Sequence, residues 1–197
     1  MVIRSEKMNK ISTKQIAITA ILLAICIVSQ IFKNISVYLT GPVVNACIII
    51  CALAAGPICA IILSIITPIT AFFIASSPVM AAVPAMILFI MGGNIVLAVM
   101  TSLLFDPAIR QKPFINVKSV LFAIASAVAK AVFMGLTISL WLLPTFIPEA
   151  SPLREKMPVF QTTFSVTQLI TALTGFVLVF ILWTPLKNFL AKEDQEV

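Results

Sequence analysis

The stretch from Ser119 to Leu143 constrains this chain more than any other, because it is an apolar run whose only formally charged side chain, Lys130, lies near its midpoint among Ala127, Ala129 and Ala131. Read as one helix at about 1.5 Å per residue, it is long enough to cross the roughly 30 Å hydrocarbon core of a bilayer. An ammonium at that depth costs roughly 2.5 to 3.5 kcal/mol on insertion scales, so such a group faces the bundle interior, a partner or a ligand. The competing reading is that Lys130 snorkels along the alanine surface to bundle water or to carbonyl groups and binds nothing.

The composition agrees with a membrane setting. Of 197 residues, 61% are hydrophobic and 10% charged, where a soluble domain is nearer 25% charged; the mean hydropathy is +1.16. The spans use nearly the whole length, which argues against a separate soluble domain. There is no His, which excludes a His base, His-based metal sites and His pH switching from this chain. No Gly-x-x-x-x-Gly-Lys nucleotide loop is present. The net charge of +6 sits in the predicted connections apart from Lys130, which fits orientation in a bilayer rather than a nucleic-acid partner. Cys26, Cys47, Cys51 and Cys59 all fall in apolar runs and read as small buried hydrophobes. Cys47 and Cys51 share a helix face but lack a His or carboxylate nearby to make a good metal site.

The expected fold is an all-α integral membrane protein of six transmembrane helices with both termini cytoplasmic. Residues 1–14 read as a basic cytoplasmic segment carrying Arg4, Lys7, Lys10 and Lys14, residues 15–186 as the six-helix domain, and residues 187–197 as a polar, solvated cytoplasmic tail. The spans are expected near 15–32, 43–55, 57–75, 80–105, 119–143 and 159–186. The second is short, because Lys33 to Pro42 reads as an external connection closed by a Gly41-Pro42 turn. Thr67-Pro68 predicts a kink in the third span, with Thr67 and Thr70 repairing the backbone or touching a ligand. Gly92-Gly93 in the fourth permits close approach or local unwinding, and Asn94 beside it offers a donor and an acceptor at bilayer depth. With six spans, Arg4, Lys7, Lys10, Lys14, Arg110, Lys112, Lys118, Lys187 and Lys192 fall on the terminal side, against Lys33, Arg154 and Lys156 on the other. That excess places the terminal side in the cytoplasm.

On this topology Thr40, Asn45, Trp141, Gln161 and Gln168 fall in the outer half or at its boundary, Asn94 and Lys130 fall near the middle, and the inner half is almost wholly apolar. Trp141 reads as an interfacial anchor or as a stacking surface for a ligand. Such a distribution describes a pocket open to the outside that narrows to a cation and an amide. A channel would carry its polar lining right through, and a proton-coupled transporter would show intramembrane Asp or Glu. The expected substrate-binding residues are Lys130, Asn94, Asn45, Gln168, Gln161, Trp141 and Thr40.

Taken together, the length, the six spans, the basic N-terminal segment running into Ile16-Ala17-Ile18-Thr19-Ala20-Ile21-Leu22-Leu23-Ala24 and the Gly93-Asn94 pair resemble the substrate-binding S components of energy-coupling factor (ECF) vitamin importers of bacteria and archaea. The resemblance covers most of the chain. It implies a multi-pass protein of the prokaryotic plasma membrane that takes a vitamin-like solute from outside. It also implies docking on a transmembrane coupling protein with two cytoplasmic ATPases, a tilt in the membrane and inward release. The family's Ala-x-x-x-Ala docking motif maps onto Ala20 and Ala24, with Ala17 on the same stripe. ATP is then used by the partners, and this chain carries no cofactor and no catalytic site. By charge alone, Lys130 favours a ligand with a carboxylate or another electron-rich acceptor, such as pantothenate, nicotinate, biotin or a folate.

Two other classes compete. A self-sufficient ion-coupled secondary transporter would be expected to show an internal repeat, and none is evident. An intramembrane enzyme would need a nucleophile and base, for which Ser126 or Ser139 with Lys130 would be the candidate pair.

Overall fold

A computed structural model describes residues 11–32, 36–105 and 115–193. The cations Arg4, Lys7, Lys10, Lys33, Arg110 and Lys112, which entered the charge comparison above, lie outside them. The described residues are helical and connecting, with six helices long and apolar enough to cross a membrane, as in a multi-pass membrane protein.

Helix α1 (Thr13–Ile31) opens on a capping box. Ser12 accepts from the Gln15 amide at 3.2 Å while the Gln15 side chain accepts from the Ser12 amide at 2.8 Å, so two otherwise orphaned N–H groups are satisfied. Helix α2 (Val37–Ala54) starts six residues earlier than expected, capped by Ser36. Gly41-Pro42 is therefore inside a helix and is not a turn. Backbone at membrane depth must satisfy itself, and Gly41 permits the close approach of Thr171, whose Cγ2 would lie 2.8 Å from a Cβ there. Gly56, at φ +90°, turns the chain into α3 (Pro57–Ala75), the Gly-Pro break expected at that point.

The fourth span is two pieces. Pro84 cannot donate to the preceding turn and pushes Val83 out of the helical region, to φ −130° and ψ 74°. A short α4 (Pro78–Ala82) is thereby separated from α5 (Met86–Leu104). Gly92 and Gly93 remain helical and serve close approach, since a Cβ would meet the Phe133 ring at 2.8 Å and Met134 Cγ at 2.5 Å respectively. Helix α6 (Val117–Met134) runs on through a π-helical stretch, Gly135–Leu142, and a last turn, Leu143–Phe146.

The sixth span is also broken, into α7 (Met157–Thr163) and α8 (Val166–Glu193). No proline sits at this break. Instead Ser165 Oγ donates to the Gln161 carbonyl at 2.6 Å, and the hydroxyls of Thr162 and Thr163 donate to carbonyls four residues back. Side chains of this kind compete with the backbone for its acceptors. Helix α8 continues past the expected boundary at Leu186, so the segment from Lys187 to Glu193 is helical rather than an irregular tail. Lys14 Nζ donates to the Leu190 carbonyl at 3.1 Å, so the start of α1 and the end of α8 share one face of the bundle, called here the terminal face.

The two halves of the bundle differ. Toward the terminal face a continuous core joins α1, α2, α3, α5 and α8 through residues such as Cys26, Ile49, Leu63, Leu97 and Phe176. All four cysteines are buried there, and among the described residues no group of three potential metal ligands is assembled. Toward the other face a second cluster contributes Val79, Met80, Met134 and Phe164 to the wall of a cavity.

Candidate functional site

Lys130 points inward. It is 3% exposed, and its Nζ donates to Asn45 Oδ1 at 2.6 Å and to Asn94 Oδ1 at 2.8 Å. Three helices meet at this point: α6 supplies the ammonium, while α2 and α5 each supply a carboxamide oxygen near mid-helix. Because an ammonium only donates, both amides must turn their oxygens toward it and their NH2 groups away. Asn45 Nδ2 then reaches Thr171 Oγ1 at 3.4 Å, and Thr171 donates to the Gln168 carbonyl at 3.3 Å. Asn94 Nδ2 takes no hydrogen-bond acceptor among the described residues, nor does the third N–H of Lys130.

Glycines make this meeting possible. A Cβ at Gly175 would lie 2.8 Å from Asn45 Cβ and 3.2 Å from both Ala46 N and the Pro42 carbonyl oxygen. Only hydrogen at that position lets α8 come close enough for Thr171 to reach Asn45. At Gly93 the neighbours are Met134 and the Lys130 stem, with Lys130 Cγ 3.9 Å from the position a Cβ would take.

No carboxylate is available to neutralise Lys130 from within the spans: the chain has none between Glu6 and Asp106, between Asp106 and Glu149, or between Glu155 and Glu193. Two carboxamide dipoles solvate the ammonium but leave its net charge uncompensated. The buried group therefore favours an anion or another strong acceptor beside it.

Lys130, Asn94 and Asn45 form part of the wall of a cavity of about 340 Å³ in the half of the bundle away from the terminal face. Thr40 and Gln168 also line it. Thr40 donates to the Ser29 carbonyl at 3.2 Å and Gln168 Nε2 to the Thr163 carbonyl at 3.2 Å. The rest of the wall is largely apolar, with Met134 from α6 and Phe160 and Phe164 around the α7–α8 break. A concave, largely apolar space with a few convergent polar groups is the usual form of a small-molecule site.

Five of the seven expected binding residues thus surround one cavity, and two do not. Gln161 instead ties α7 to the π-helical stretch, donating from Nε2 to the Ser139 carbonyl at 3.0 Å while Ser139 Oγ donates back to the Gln161 carbonyl at 2.9 Å. Trp141 is 53% exposed on the outside of the bundle, edge-on to Phe89 and Phe146. Ser126 donates to the Phe122 carbonyl at 2.8 Å, so neither serine considered as a nucleophile is hydrogen-bonded to Lys130. Ala17, Ala20 and Ala24 are exposed on α1.

Gln30, Thr67, Ser77 and Thr163 also line the cavity, and none of them was among the expected binding residues. Gln30, at the end of α1, has no distinguishing neighbours, and its only signal is an amide inside an apolar helix. Thr67 read equally well as repair of the Pro68 backbone. In fact Thr70 Oγ1 donates to the Thr67 carbonyl at 3.0 Å, and Gln30 Nε2 donates to the same carbonyl at 2.9 Å. Compared with protein-family models, curated proteins and solved structures, the chain matches none of them.

Proposed function

We propose that this chain is the membrane-embedded capture subunit of an ATP-driven, ECF-type micronutrient importer, binding a small carboxylate-bearing solute at Lys130. The observation that carries the proposal is a buried ammonium, held by Asn45 and Asn94 at the wall of a 340 Å³ cavity, in spans without an acidic side chain. On this reading the terminal face is cytoplasmic, the cavity half is outside, and the solid apolar half closes the inward route until the subunit docks. Lys130 and the NH2 of Asn94 receive the carboxylate, while Asn45, Gln168 and Thr40 shape the remaining wall. The exposed stripe of Ala17, Ala20 and Ala24 supplies a surface on which another helix can approach closely. It is the proposed contact with a coupling protein that carries two ATPases.

Binding is tested with the purified protein in detergent and a panel of pantothenate, biotin, nicotinate and folate. Lys130→Met is expected to weaken binding of the accepted acid well over tenfold, on the scale of about 2 to 5 kcal/mol for breaking a buried charge pair. Unchanged affinity returns Lys130 to a purely structural role. Coupling is tested in cells: Trp at both Ala20 and Ala24 is expected to abolish import while leaving binding intact. Uptake by the purified chain alone in liposomes along an ion gradient would favour a secondary transporter instead.

A further inference from the structure

The polar groups of the cavity have a second focus. Gln30 and Thr67 are each 1% exposed, and both line the cavity. Gln30 Nε2 donates to the Thr67 carbonyl. Since a carbonyl can only accept, this fixes the Gln30 amide orientation and leaves Oε1 on the other side. Gln30 Oε1 and Thr67 Oγ1 both lack any hydrogen-bond partner and have less than 1 Å² of accessible surface each. A membrane helix ordinarily satisfies a threonine hydroxyl on the carbonyl four residues back, as Thr137 and Thr174 do here. Thr67 does not. Two buried, unpartnered oxygens are unfavourable in a ligand-free protein, and both belong to side chains of residues on the cavity wall.

Their position relative to Lys130 follows from the helix contacts. Thr40 donates to the Ser29 carbonyl, so the end of α1 that carries Gln30 lies level with Thr40 on α2. Asn45, on the ammonium, is five residues further along α2, or about 7.5 Å along the helix axis. The polar residues of the cavity wall therefore include two separate groups, Lys130 with Asn94 and Gln30 with Thr67.

We propose that Gln30 and Thr67 form a second polar subsite, which selects solutes carrying a hydroxyl or N–H donor remote from the carboxylate. The inference rests on the capture reading given above and narrows its substrate class: acids with no second donor are excluded. Binding of the right solute would give Gln30 Oε1 and Thr67 Oγ1 the bond they lack, while a donor-free acid would leave them buried and unmet, the arrangement by which polar sites reject close analogues.

The test uses the full chain in detergent, titrated with pantothenate and biotin, which carry hydroxyl or N–H donors remote from the acid, and with nicotinate, which carries none. Thr67→Val is the informative variant, because the lost hydroxyl bonds nothing in the protein. It is expected to raise the thermal midpoint of the ligand-free protein and to weaken the bound donor-bearing acid about tenfold, a sign reversal that a structural role would not produce. Gln30→Met should weaken the same acid by a similar factor, and nicotinate should bind at least tenfold more weakly than that acid. If Lys130→Met abolishes binding while Thr67→Val and Gln30→Met leave it unchanged, or if nicotinate binds as tightly as the donor-bearing acids, the subsite is refuted and the capture reading survives. If wild-type protein binds none of the three, nor folate, both fall.

Discussion

Helix α2 passes through two different environments. From Ala46 to Leu53 every side chain is buried in the core next to the terminal face, whereas Thr40, Gly41, Val44 and Asn45 line the cavity on the other side of that boundary. The same contrast runs through α8, with Phe176, Val179 and Trp183 in the packed half and Gln168 on the cavity. In a bilayer the lipid tails are as apolar as the side chains, so helices associate through close packing and interhelical hydrogen bonds. The packed half relies mainly on the first, with a few hydrogen bonds from Lys14, Gln15 and Thr19 of α1. The cavity half relies on the second, through Lys130, Asn45, Asn94 and Thr171, together with broken helices around an open space. Close packing and polar contacts around a cavity thereby fall at different ends of the same six spans.

Substitutions that act on one half only are the strongest way to break this division. Leu97→Ala removes a fully buried side chain from the packed half and is expected to cost about 2 to 5 kcal/mol. Thermal or denaturant unfolding in detergent should show the loss while ligand affinity of the folded fraction stays at wild type. A parallel fall in affinity would show that the halves are one unit. Gly175→Ala acts at the boundary, where the added methyl meets the α2 backbone at Ala46 and Pro42. Overpacking of this kind costs about 1 to 3 kcal/mol, and by displacing Asn45 it should lower stability and affinity together.

Smaller effects sharpen the comparison within the cavity half. Thr171→Val removes the acceptor that orients Asn45, a membrane hydrogen bond worth about 0.6 kcal/mol, so stability should barely change while affinity drops a few-fold as Asn45 loses its fixed orientation. Gln161→Met breaks the bond to Ser139 outside the cavity and should leave affinity within about twofold of wild type, as expected away from the site. A larger loss would mean that the π-helical stretch is coupled to the cavity.

How much of this was legible beforehand varies by element. Spans one, three and five are continuous apolar runs, and their ends fell within three residues of the observed helices at Thr13–Ile31, Pro57–Ala75 and Val117–Phe146. The second, fourth and sixth were misjudged at local signals whose meaning depends on neighbours. Gly41-Pro42 resembles a turn until Thr171 is packed against it, and Pro84 cuts a helix that a hydropathy window reads as continuous. The break at Phe164 has no proline or glycine to announce it. Among the site residues, Lys130, Asn45 and Asn94 stood out as polar groups at bilayer depth. Gln161 carried the same signal, yet its bonds run to Ser139 rather than to the cavity.

The sequence by itself determined that the chain forms six apolar helices and that its one intramembrane cation has no carboxylate to meet, because both follow from residue type and spacing along a single segment. Which amides surround that cation, which half is solid and which is hollow, and the two unpartnered oxygens of Gln30 and Thr67 were decided only by tertiary structure. Each of those depends on how close two helices come and how each is rotated, and that is set by glycines and hydroxyls acting across residues as far apart in the chain as Asn45 and Gly175.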